Sequence, residues 1–124
     1  MHPILAVQEA LVTALRAEGL AVFDAPPKGV AGAYVVVAQH DVIQRDGDLA
    51  PGQEHRLVLH CWAGEPSRQL AVGLAERVVG LAVALEPVGL MVSLARHVRT
   101  ETVIDGKTGR ARAAVTLRYF TEAA

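Results

Sequence analysis

Two runs of this chain place an apolar side chain at every second position, and a period of two fixes what they can become. From Gln53 to Ala63, Leu57, Leu59 and Cys61 fall on one side, and Arg56, Val58, His60 and Trp62 on the other. Further on, Ala113, Val115, Leu117 and Tyr119 share one side, and Arg110, Arg112, Thr116 and Arg118 take the other. Successive side chains of a strand point to opposite faces, so each run predicts a strand with one face turned to a core. Something else in the chain must cover that face. The 124 residues, 52% of them apolar, suffice for one domain over residues 1–124 with a modest core.

Two segments repeat at helical spacing. In the stretch Pro3 to Glu18, Ile4, Val7, Leu11 and Leu15 form a stripe, Pro3 fits a first turn, and Gly19 is a natural stop. The second helix is expected from about Arg68 to Leu85, with Ser67 as its cap and Leu70, Leu74, Val78, Leu81 and Leu85 as its core stripe. Val72, Val79 and Val83 lie off that stripe, so this helix is apolar on more than one side and predicts a second partner surface.

The rest of the chain completes two hairpins. Tyr34-Val35-Val36-Val37 opens a strand that runs to about Arg45, after a connector from Phe23 to Ala33 broken by Pro26 and Pro27. A polar loop is expected from Asp46 to Gly52, with Asp48 near its tip. A third strand is expected to place Leu90, Val92, Leu94 and Val98 on one face, and Asp105 to Gly109 is a hairpin turn. The predicted fold is an α+β two-layer sandwich of order α-β-β-α-β-β. Its four-stranded, mainly antiparallel sheet carries both helices on one face.

Charge and motif content exclude much. Twelve basic and 13 acidic side chains make neither an acidic tail nor a strongly basic nucleic-acid binder. The charge is bipolar. Arg96, Arg99, Lys107, Arg110, Arg112 and Arg118 crowd the segment 96–118, whereas residues 1–66 hold 8 acidic and 4 basic side chains, a layout suited to meeting copies of itself. The N-terminus lacks a basic start before its apolar stretch, so no secretory signal is expected.

One cysteine allows no internal disulfide, and Cys61 alternates with core leucines like a small buried hydrophobe. His55 and His60 fall on opposite strand faces, and no HExxH, CxxC, GxSxG or phosphate-loop pattern occurs. Asp46 and Asp48 start like a calcium loop but lack its closing Glu. Neither catalytic residues nor a metal or cofactor site is therefore expected. Arg110, Arg112 and Arg118 stripe one sheet face without the interleaved aromatics of an RNA-reading sheet, so contact with DNA would be electrostatic and without sequence preference.

Several strings, taken in order, resemble a known family. They are Pro3-Ile4-Leu5-Ala6-Val7-Gln8, Val22-Phe23-Asp24-Ala25-Pro26-Pro27 and Tyr34-Val35-Val36-Val37. They continue with Glu54-His55-Arg56-Leu57-Val58-Leu59-His60-Cys61-Trp62 and Leu117-Arg118-Tyr119-Phe120-Thr121-Glu122. Together they resemble the tail-completion, or tail-terminator, proteins of long-tailed phages and gene transfer agents, over nearly the whole length. The alanine-rich, arginine-over-lysine usage is most similar to the gene-transfer-agent branch. Ala33 stands where the family often has Pro, and Cys61-Trp62-Ala63 where Val-Trp-Ser is more usual.

The resemblance implies a structural virion protein without catalytic residues. Such a protein forms a hexameric ring at the head-proximal end of the tail tube, stops tube growth and joins the tail to the head connector, with double-stranded DNA passing through. Its implied partners are itself, the tube protein, the connector protein and that DNA. On this reading the subunit contact is expected at Val72, Val79 and Val83 or at the basic face with Arg112 and Arg118. Asp46, Asp48, Asp105 and Lys107 mark the loops expected to meet tube or connector. The alternative is a small ligand-binding or regulatory α/β domain, since two-layer sandwiches host many such modules.

Overall fold

The computed structural model describes residues 2–46 and 51–124. In chain order its elements are α1 (Pro3–Ala17), β1 (Val22–Phe23), β2 (Tyr34–Asp46), β3 (Pro51–Trp62), α2 (Arg68–Ala82), β4 (Leu90–Ile104) and β5 (Ala111–Ala123). They form the expected α+β two-layer sandwich. The sheet has five strands rather than four, in the order β1-β2-β3-β5-β4. The additional strand is β1, two residues that pair in parallel with β2 as Val22↔Val35 and Phe23↔Val36. It straddles the start of the expected connector, Val22 lying before it and Phe23 within it, and two residues are too few to show a period.

The other pairings are antiparallel, and β5 lies between β3 and β4. The two strands with the clearest alternation are thus the central ones, in direct register from Gly52↔Glu122 to Trp62↔Arg112. Leu57, Leu59, Cys61, Ala113, Val115, Leu117 and Tyr119 are buried beneath the helices. The Tyr119 hydroxyl donates to the Ala82 carbonyl at 2.6 Å, tying the end of α2 to the sheet.

Both helices start and stop as their sequences require. The Ser67 side chain accepts from Leu70 N–H, and His2 Nδ1 caps α1 by accepting from Ile4 N–H at 3.2 Å. Gly19 follows α1 with φ +79, the left-handed turn that glycine takes without strain.

The core stripe of α2 differs from the one expected. Leu74, Val78 and Leu85 are buried, but Leu70 is 52% exposed, and the buried positions between them are Ala71, Ala75 and Ala82. Small residues at those positions let the helix backbone lie close to the sheet.

The third predicted strand also needs correction. Bulges at Val92/Leu94 and His97/Arg99 interrupt β4. Each inserts one residue and reverses the side-chain parity beyond it. Leu90 and Val92 pack against the core with Ala95, whereas Leu94 pairs with Phe120 on the outer face and Val98 is exposed. The loop read as Asp46 to Gly52 is shorter than expected. Asp46, Pro51 and Gly52 belong to paired strands, and Asp48 lies outside the described residues. Gly52 occupies a tight place, where a Cβ would stand 3.2 Å from the Thr121 carbonyl oxygen.

Candidate assembly surfaces

The two helices pack on one face of the sheet, and among the described residues no layer covers the other face. Register across β2, β3, β5 and β4 orders its side chains into rows. One row runs Asp41, Arg56, Arg118, Arg96; the next runs Ile43, Glu54, Phe120, Leu94. Three arginines therefore stand directly opposite one another on neighbouring strands, an arrangement that like-charge repulsion disfavours.

Glu54 is what makes the cluster tolerable. Its side chain has no accessible surface, yet its carboxylate meets Arg45 at 3.2 Å, Arg56 at 2.7 Å and Arg118 at 3.3 Å. The bonds from Arg56 and Arg118 outweigh the cost of burial and, with Arg45, hold its pKa down at about 2. Among the described residues, no carboxylate lies within ion-pair distance of Arg96, while Arg99 pairs with Glu101.

Aromatic rings support the same face. Arg112 lies over Trp62 at 5.8 Å, and Arg118 over Phe120 at 4.9 Å. Arg112 and Arg118 thus fall on the open face of the sheet. Arg110 does not act as part of a free basic stripe. Its guanidinium donates to Ala63 O at 2.9 Å, to Val30 O at 3.0 Å and to Gly32 O, and lies 5.0 Å over Tyr34. It fastens the proline-containing connector to the second hairpin.

Antiparallel pairing sends the two hairpin tips to opposite ends of the sheet. The first hairpin's last described pair, Asp46↔Pro51, lies at the end of the sheet where Gly52 pairs with Glu122, and the second hairpin's turn lies at the end where Trp62 pairs with Arg112. The Asp105 carboxylate accepts from Thr108 N–H at 2.8 Å and Thr108 Oγ1 at 2.9 Å, which lowers its pKa and shapes its own turn. Lys107 stays exposed at that tip. Val72 of α2 and Val83 at its C-cap are exposed, while Val79 is partly buried against the core.

The other polar cluster runs through the core edge. Gln8 Nε2 donates to His40 Nδ1 (3.0 Å), His40 Nε2 to His55 Nδ1 (2.9 Å), His55 Nε2 to Thr121 Oγ1 (2.9 Å), and Thr121 Oγ1 to Gln53 Oε1 (3.3 Å). Every donor finds an acceptor when both rings are neutral and protonated on Nε2. Burial is the main reason the His40 pKa falls to about 4, with His55 adding to the effect and Asp41 opposing it; burial, then His2, lowers that of His55. Burial also pushes the Cys61 thiol up to about 12, so it is no nucleophile near neutrality. No group of three metal-ligating side chains occurs among the described residues, and no described helix is long and apolar enough to cross a membrane.

The sequence places Arg56 on a strand face and Arg96 in a basic segment but does not show their meeting with Glu54 and Arg118. Alternation places Glu54 beside Arg56 on one strand face, but the third and fourth members of the cluster come from the register of β5 and β4.

The sequence pattern of the family described as Tail completion protein gp17 matches residues 4–122. The chain belongs to that family. Membership makes it a structural protein of a virion tail. No curated protein matches it. Among solved structures, a chain of "Virion of native gene transfer agent (GTA) particle" is similar in fold, with a TM-score of 0.81 at 24% identity. The match covers 99% of this chain and 100% of that one.

Proposed function

We propose that this tail completion protein is the terminator of a gene-transfer-agent-like tail. Six copies form a ring at the head-proximal end of the tube, stop its growth and join it to the head connector, with double-stranded DNA passing through without sequence-specific contact. Family membership over residues 4–122 is the observation that carries this reading.

The architecture supports it. An adaptor between two structures needs two distinct ends, and the hairpin tips lie at opposite ends of one sheet. The tip with Lys107 is one docking point and the tip with Asp46 and Asp48 the other; Asp105 acts by shaping its turn. The subunit contact draws on Arg112 and Arg118 of the open sheet face and on Val72 of α2 and Val83 at its C-cap, with Val79 supporting them from beneath. Because these surfaces lie on opposite layers, the contact is heterologous and closes by rotation. The chain acts by shape and is not an enzyme.

Removal of this chain from particle-producing cells tests the reading. Tails of irregular, excess length and heads without tails are expected. Tails of uniform length, joined normally to heads, would overturn it.

A further inference from the structure

We propose that Arg96, with Arg56 and Arg118 beside it, docks the carboxylates of Glu9 and Glu86 on a second copy of this chain. The inference rests on the ring reading above and names the contact that would close the ring.

The row Arg56, Arg118, Arg96 spans three adjacent strands in direct register. Glu54 compensates Arg56 and Arg118 from one side only, and Arg96 has no acidic partner among the described residues. Beside the row is an open hollow of about 450 Å³, lined by Arg56, Arg96, Val98, Thr116 and Arg118. The bulge at His97/Arg99 shapes it. Val98, about half exposed, supplies apolar surface in its lining. The site therefore calls for an anion with apolar flanks.

The helix layer offers that combination. A groove of about 620 Å³ runs between α1 and α2, floored by Ala6, Ala10, Ala14 and Gly80 and edged by Glu9, Glu86 and Val88. Val88 is 89% exposed. The groove is apolar at its centre with acidic edges, the hollow is basic with Val98 beside its arginines, and the opposite charges fix orientation as well as attraction. They lie on opposite sides of the subunit, so pairing runs head to tail, and each copy uses both once. DNA phosphate is the poorer occupant of the arginine row. Guanidinium clamps on phosphate are strong and bidentate, and would brake a duplex that must slide through the ring.

Disulfide trapping tests the contact in assembled particles. With Arg96→Cys and Glu86→Cys in one chain, oxidation is expected to give a ladder of covalent oligomers that neither single variant gives; Cys61 is buried and does not compete. Separately, R96E is expected to weaken self-association of the full chain about tenfold, and adding E86R to restore it. A ring present in particles without the 86–96 ladder would overturn this contact and leave the ring reading intact. So would duplex DNA binding by the purified chain that R96E abolishes. A single copy of the chain per tail would overturn both.

Discussion

Glu54 concentrates the electrostatics of this protein in one side chain. It is fully buried, yet its charge is required because Arg45, Arg56 and Arg118 converge on it. Glu54→Gln keeps the shape and removes the charge, leaving the arginines to repel one another. The expected result is a fall of roughly 5 °C or more in the thermal midpoint, read by calorimetry at neutral pH. The same group governs behaviour in acid. Its folded pKa is depressed to about 2 from 4.5, so its contribution is complete above about 4.5 and is lost as pH falls towards 2. The histidines act at higher pH. His40 titrates near 4 when folded and near 6.5 when unfolded, so below 6.5 the unfolded chain binds the proton first and stability declines as pH falls to about 4. His40→Gln should flatten that part of the Tm-against-pH curve. An unchanged slope would show that the hydrogen-bonded chain through His55 does not control it.

Single side chains also fasten whole elements together. Arg110 holds three carbonyls of the connector and of the segment after β3, so Arg110→Ala should open residues 24–33 to proteolysis while the sheet persists. Tyr119→Phe removes the one bond from the sheet to the last carbonyl of α2 and should cost about 1 kcal/mol in chemical denaturation. What was legible in the sequence follows from periodicity. The two central strands, both helices, the Ser67 cap and the Asp105 turn each left a local signal several residues long, and the structure has each of them. The bulges of β4 left none, because one inserted residue reverses side-chain parity without changing composition, and Leu94 and Val98 were assigned to the wrong face for that reason. The two residues of β1 gave no period. The arginine row was half legible: Arg112 and Arg118 showed as a stripe, but the meeting of Arg56, Arg118 and Arg96 is a matter of long-range register. Leu70 was read as core on spacing alone, whereas the close approach of α2 selects Ala71, Ala75 and Ala82 instead.

At the scale of the whole molecule, asymmetry is the property that links fold to function. One layer of the sandwich presents a groove with acidic edges, the other a sheet face rich in arginine, and the two hairpin tips point to opposite ends. A subunit with four distinct sides can meet a neighbour on each flank and a different structure above and below, which the proposed adaptor role requires. Electron cryomicroscopy of intact particles is the most direct test. The account predicts six copies of this chain in a single ring between tube and connector, helix layer against sheet face, with the two hairpin tips touching different proteins. Particles with no ring of this chain at the head-proximal end of the tail would contradict it.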